Sequence, residues 1–250
     1  VTSAFALTGA LLVAGVGWAL HETGLAYIAA LGVIAVTAAV LVGVGAFVDP
    51  VQGVRAMGFA LALCVGALPR VAMVMGGLSG LDYEVGRSGQ VATERFDETF
   101  TNSDRLLLGI VLGAALSGGA VTVLLAFMAE GPPDLLLGGL LSVLLVMRSR
   151  LFDRIRHVLP LRLAGVLGLG ATGVAAIGVY PVLGPWLPVA VLSACMVLGV
   201  LSWVRLADVP RASLRRLLNW AEVVVIIALC AVFAWGAGLF AFVARMSGVA

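Results

Sequence analysis

The stretch that decides the fold is LAGVLGLGATGVAAIGVYPVLGPWLPVAVLSACMVLGVLSWV, residues 163–204. No charged residue interrupts it, and Arg162 and Arg205 close its two ends. The hydrocarbon core of a bilayer takes about 20 apolar residues per spanning helix, so this run is long enough for two, joined at YPVLGPW. Working outward, the intervals 23–48, 106–129 and 223–244 are equally free of charge. The whole chain is 62% hydrophobic and 11% charged, with a mean hydropathy of +1.16. Soluble domains carry about 25% charged residues, so there is too little charge here to coat a water-facing surface. A soluble enzyme and a nucleic-acid-binding domain are both excluded.

The expected fold class is therefore all-α, a polytopic transmembrane bundle of about eight spanning helices. The spacing predicts spans over 3–20, 25–48, 51–68, 106–128, 132–147, 163–180, 187–204 and 220–243. Strands are excluded because an open sheet edge is unsatisfied in lipid and the runs lack barrel alternation. The third span carries Arg55 one turn in, where its side chain is expected to snorkel to the interface. The fifth has only Leu135 to Met147 between Asp134 and Arg148, and needs Pro132 and Pro133 in its first turn. Three parts follow: 1–69 with three spans, 70–105 as an acidic connection with a short helix, and 106–250 with five spans and arginine-rich connections.

Orientation follows from arginine. All 15 basic residues are arginine, a usage that fits a GC-rich bacterial genome. Arg148, Arg150, Arg154 and Arg156 cluster between the fifth and sixth spans, and Arg205, Arg211, Arg215 and Arg216 between the seventh and eighth. The connections at 130–134 and 180–186 have no basic residue, and basic loops stay cytoplasmic. Trp186, Trp203 and Trp220 fall at span ends, where indole rings favour the interface. The connection DYEVGRSGQVATERFDETFTNSD, 82–104, has six acidic residues against two arginines and is expected on the cytoplasmic side. Within it Phe96 and Phe100 are i,i+4 neighbours that one helical turn would present together. They are either aromatics tucked against the membrane surface or a docking surface for a cytosolic partner. The arginines suit either such a partner or anionic lipid headgroups.

Catalytic patterns fail on inspection. His21-Glu22 lacks the second histidine of a zinc-protease helix, and Gly77-Leu78-Ser79-Gly80-Leu81 falls short of a nucleophile elbow. His157 sits among arginines as an ordinary loop histidine. A phosphate loop with lysine is impossible in a chain without lysine. Cys64, Cys195 and Cys230 lie inside apolar runs without metal-ligand spacing and read as small buried hydrophobes. No enzyme activity, cofactor or metal is expected. Glu222, two residues into the last span, is expected to pair at the interface with Arg215 and Arg216 near the positive end of its helix. Gly109, Gly113 and Ser117 lie four apart on one helix face and permit close backbone approach, within the subunit or with a second copy.

Three further stretches carry a family resemblance: LPRVAMVMGGLSGL (68–81), MRSRLFDRIRHVLPLRLAG (147–165) and RRLLNWAEVVVIIALCAVFAWGAGLFAFVARMSG (215–248). In order and spacing they resemble the membrane part of EccD, a subunit of the mycobacterial type VII (ESX) secretion system. Trp220 and Glu222 stand where that family tends to carry a Trp and a Glu. The resemblance implies a cytosolic ubiquitin-like domain and three spans ahead of these eight, which agrees with a chain lacking an initiator Met. It also implies a dimeric scaffold around a lipid-containing vestibule in the inner membrane, assembled with EccB-, EccC- and EccE-like subunits. EccC would supply the ATP hydrolysis. The competing expectation is a secondary transporter, which calls for inverted repeats and polar groups near the midplane. No repeat is evident, and the span interiors are nearly free of ionisable groups.

Overall fold

The computed structural model describes residues 24–75, 93–152, 154–186, 208–240 and 246. Among them the secondary structure is helical. The elements are α1 (Gly24–Phe47), α2 (Pro50–Val65), α3 (Leu68–Met75), α4 (Thr93–Phe127), α5 (Pro132–Arg148), α6 (Ile155–Val179) and α7 (Asp208–Gly236). Short 3-10 turns at Ser149–Leu151 and Pro181–Leu183 follow α5 and α6. Among the described residues four helical stretches are long and apolar enough to cross a membrane: Ala26–Phe47, Asp97–Phe127, Ile155–Val179 and Arg216–Gly236. Helix α2 is a shorter apolar helix, and α5 has 17 residues. The expected spans at 3–20 and 187–204 lie outside the described residues.

Helix ends follow local chemistry. Asp49 caps α2 by accepting a hydrogen bond from the Val51 amide at 3.1 Å, with Pro50 in the first helical position, where its missing N–H costs nothing. At α5, Pro132 and Pro133 open the helix, and the Asp134 carboxylate accepts from the Glu130 amide at 3.0 Å. Arg148 lies in the last turn of α5, where a cation complements the helix dipole. Helix α7 stops at Gly236, and Gly238 takes a φ of +72° that L side chains rarely adopt.

Three expected boundaries are corrected. The last span, expected from 220, belongs to a helix that begins at Asp208, so Glu222 lies well inside it and away from its positive end. The connection expected to last until 105 is, from Thr93 onward, the start of α4. No proline or glycine breaks the chain between Thr93 and Leu108, and Glu94, Asp97 and Glu98 favour the positive end of the helix. At about 1.5 Å per residue the 35-residue helix is about 52 Å long and overshoots a bilayer core. The sixth span likewise begins at Ile155 in place of 163, taking Arg156, His157 and Arg162 into its first two turns. Pro160 is accommodated there near the N-terminus, where few upstream carbonyls are disturbed.

Helix α4 is the central element and packs against α1, α2, α3, α5 and α6. One core cluster, toward the start of α4, joins Leu61, Leu68, Val111, Leu145, Phe152 and Leu161. A second, toward its end, joins Val54, Val121, Leu125, Leu137, Leu141 and Leu229. Phe59 stacks on Phe233 with ring centroids 4.4 Å apart, which seats α7 against α2. The outer faces of α1, α6 and α7 are apolar and exposed, as at Val36, Leu167, Val174, Val224 and Ile227. Helices apolar on every side belong in a membrane.

Candidate functional site: charged clusters at the two ends of the bundle

The small-residue face of α4 lies close to the α1 backbone. A Cβ on Gly109 would collide with the Ala26 carbonyl of α1, and one on Gly113 would stand 2.7 Å from the Ala30 carbonyl. Ser117, fully buried, shares a hydrogen bond of 3.1 Å with Thr37. Within this chain the face lies against α1.

At the end of the bundle where α5 finishes and α7 is under way, Glu222 gathers two arginines. Arg148 Nε lies 2.7 Å from Glu222 Oε1, and Arg150 Nη2 donates to Glu222 Oε2 at 3.1 Å and to Asn219 Oδ1 at 2.8 Å. The Arg148 guanidinium crosses Gly66, where any Cβ would overlap it. Gly66 thus leaves room for a cation between α2 and α3. The expected pairing of Glu222 with Arg215 and Arg216 is corrected: the partners come from the connection after α5. Arg215 and Arg216 stand seven and six residues before Glu222, beyond the i,i+3 and i,i+4 spacing at which side chains on one helix meet. A partner on a different helix meets Glu222 where it is only 14% exposed. Arg216 is exposed, and the side chains of Arg211 and Arg215 lie outside the described residues.

A few residues along the same connection, a second cluster ties α6 to α4. Arg154 Nη1 donates to Asp104 Oδ2 at 2.6 Å, and its guanidinium lies over the Phe100 ring, 5.5 Å from the centroid. His157 Nε2 approaches the other oxygen, Asp104 Oδ1, at 3.7 Å. His157 is buried, not a solvated loop residue. Arg156 is exposed, Phe100 partly so, and the Phe96 side chain lies outside the described residues. Ala72 and Met73 of α3, with Phe152 and Leu107, close a cavity of about 300 Å³ over Asp104 and His157. Arg148, Arg150 and Arg154 therefore each hold a carboxylate from another helix, which a lone solvated arginine does not.

The opposite end holds the most buried charges. Arg55 grips Asp134 with two parallel bonds, Nε to Oδ1 at 2.6 Å and Nη2 to Oδ2 at 2.9 Å. The two residues are 7% and 1% exposed. Arg55 Nη1 also donates to the Gly236 carbonyl at 2.6 Å, and Gln52 Nε2 donates to the same oxygen at 3.0 Å. Glu130 stands 3.7 Å away at the rim. Arg55 thus joins α2, the N-terminus of α5 and the C-terminus of α7, and the expectation that it snorkels to the interface is corrected. Snorkelling relieves a charge that has no partner; here a bidentate carboxylate is nearer than the interface. The readable signal was one arginine and one aspartate, each about a turn inside an apolar run on the same side of the bundle.

At both ends the ion pairs fasten one helix to another. Asp104, Asp134 and Glu222 are each matched to arginines, and among the described residues no group of three or more His, Cys, Asp or Glu is placed to hold a metal ion.

No curated protein matches the sequence. Among solved structures, the chain is similar in fold to protomer 1 of the ESX-3 core complex, with a TM-score of 0.62 and 19% sequence identity. The likeness covers 93% of this chain and 53% of the other, so this chain spans about half the length of that one. Residues 1–246 match the family model described as the EccD-like transmembrane domain. With an all-helical bundle whose outer faces are apolar and that family match, the chain belongs to the EccD-like transmembrane domain family.

Proposed function

We propose that this chain is a multi-pass structural subunit of a type VII (ESX) secretion complex in the bacterial inner membrane. The observation that carries this reading is the family match along nearly the whole chain, and the bundle's placement of charge agrees with it. Polar groups are fastened to one another at the two ends, at Arg55–Asp134 and at Arg148–Glu222, while apolar side chains fill the layers between. An arrangement of that kind holds helices at fixed offsets and provides little for transport chemistry at the midplane.

In this reading the chain crosses the membrane eight times, with the arginine connections and the 70–105 region facing the cytoplasm. Two copies pair to form a scaffold around a vestibule that contains lipid, and the dimer assembles with EccB-, EccC- and EccE-like subunits. ATP hydrolysis belongs to the EccC-like partner, and this chain contributes no catalysis. The cytoplasmic surface around Phe96, Phe100, Arg156, Arg211 and Arg216 is the contact area for those partners or for lipid. The test is to delete the gene in its host and restore it with wild type or with Asp134→Asn. Loss of type VII substrate secretion on deletion, with rescue by wild type, supports the reading. Unchanged secretion in the deletion strain contradicts it.

A further inference from the structure

Between α4 and α6 an open apolar groove of about 500 Å³ runs along the surface of the bundle. Leu112, Leu116 and Val123 of α4 form one wall, and Pro160, Leu163 and Leu167 of α6 form the other. Leu163 and Leu167 are 52% and 67% exposed, so the groove is open to whatever surrounds the bundle. At about 1.5 Å per residue the α4 wall, Leu112 to Val123, is about 16 Å long, and the α6 wall, Leu159 to Leu167, about 12 Å. A bilayer core is about 30 Å thick, so the groove has the length of one leaflet.

Each wall continues, on the same helix face, to an arginine. Arg105 stands 7, 11 and 18 residues before Leu112, Leu116 and Val123, which is about two, three and five turns of α4. Arg156 stands 4, 7 and 11 residues before Pro160, Leu163 and Leu167, which is about one, two and three turns of α6. Both arginines lie at the end of the bundle where Arg154 holds Asp104. They stand about 10 Å beyond Leu112 on α4 and about 5 Å beyond Leu159 on α6. Both are exposed. Among the described residues neither meets a carboxylate, whereas Arg55, Arg148, Arg150 and Arg154 each do. One leaflet's depth of apolar surface thus ends at two positive charges that the protein leaves unanswered.

We infer that this groove seats a phospholipid of net negative charge from the cytoplasmic leaflet. One acyl chain lies between the α4 and α6 walls, the phosphate lies between Arg105 and Arg156, and the glycerol ester groups fill the interval. A membrane helix, from a second copy or a partner, is about 10–12 Å wide and crosses both leaflets. Seated here it would overrun the groove and cover two arginines without supplying a counter-charge. The inference rests on the reading of the arginine end as the cytoplasmic membrane surface. It does not require assembly with other subunits, so the two fail separately.

The experiment uses the full-length protein purified in mild detergent and offered equal amounts of phosphatidylglycerol and phosphatidylcholine with the same acyl chains. Retained lipid is counted by native mass spectrometry. A basic residue near an anionic headgroup gives about a fivefold preference, the equivalent of about 1 kcal/mol. With two arginines, phosphatidylglycerol should be retained about 25-fold over phosphatidylcholine. Arg105→Gln and Arg156→Gln should each lower that preference about fivefold, and the double variant should bring it close to one. Arg216→Gln removes an exposed arginine of α7, which packs on α5 and α2, and should leave the preference unchanged. Ala120→Phe places a ring in the groove and should lower the amount of lipid retained; the arginine variants carry the test where that variant does not fold. Equal retention of the two lipids, an equal fall in Arg216→Gln, or full retention by folded Ala120→Phe overturns the inference. A disulfide joining two copies through Leu163→Cys would put a second copy in the groove, and overturns it as well.

Discussion

Replacing Asp134 with Asn removes the charge that answers Arg55 while keeping the shape of the side chain. The Arg55 guanidinium is 8% exposed and directs two of its nitrogens at that carboxylate, at 2.6 and 2.9 Å. After the substitution it keeps the Gly236 carbonyl and, at 3.7 Å, the exposed carboxylate of Glu130. Breaking a buried pair by removing one partner costs about 3–5 kcal/mol, because the remaining charge stays in a low-dielectric site. Glu130 recovers part of this, so the lower half of that range, about 3 kcal/mol, is the expected loss. Replacing both partners with apolar residues, Arg55→Met with Asp134→Leu, removes the desolvation penalty together with the attraction, and should cost far less than Asp134→Asn alone. The assay is thermal unfolding of the detergent-solubilised protein for wild type, Asp134→Asn, the single variants Arg55→Met and Asp134→Leu, and the double variant that combines those two. The resulting cycle isolates the coupling between the two positions. Exposed ion pairs give only about 0.2–1 kcal/mol. A coupling within that range, or a double variant as unstable as the sum of the singles, would refute the account of a buried fastening between three helices.

Gly109→Leu should destabilise the bundle by roughly 1–3 kcal/mol or more, because the added side chain must displace the α1 backbone at Ala26; retained stability by thermal unfolding would mean that α1 and α4 are not in contact. A chain carrying Thr37→Cys and Ser117→Cys, whose hydroxyl oxygens are now 3.1 Å apart, should form an intrachain disulfide on mild oxidation and stay monomeric on a denaturing gel. Covalent dimers in that experiment would place the Gly109–Ser117 face between copies. Glu222→Gln should weaken the hold of α7 on Arg148 and Arg150 by about 1–3 kcal/mol, and raise hydrogen exchange in the turns of α7 around Glu222 without affecting the Arg55 end. Equal protection in both forms would show the triad to be idle.

The membrane class and the position of the main helices were legible in the sequence because they depend on one-dimensional quantities. Runs without charge mark α1 and the second half of α7, Pro132 and Asp134 mark the start of α5, and the spacing of Gly109, Gly113 and Ser117 marks a close-packed face. Partner identity was not legible in the same way. Glu222 lies near Arg215 and Arg216 in sequence, yet it meets Arg148 and Arg150, more than seventy residues away, because α5 delivers its C-terminus beside α7. Arg55 and Asp134 each read as an interfacial charge when taken alone, and only the pairing of α2 with α5 makes them one buried unit. Helix starts were misplaced where charge was taken to mean a connection. Asp104 and Arg156 are charged and helical, because their helices project past the apolar layer and the charges fasten to one another there. Phe100 was singled out as one of a pair with Phe96, and the structure adds that Arg154 rests over its ring.

The central claim, that this chain is a structural subunit of a type VII secretion complex, is tested most directly by purifying it from its host. The tagged full-length protein would be extracted in mild detergent, sized under native conditions, and its companions identified by mass spectrometry. The account predicts a large, stable assembly containing at least two copies of this chain and an ATPase subunit, disrupted or depleted by Asp134→Asn. A monodisperse monomer that binds and moves a small solute in proteoliposomes would contradict it.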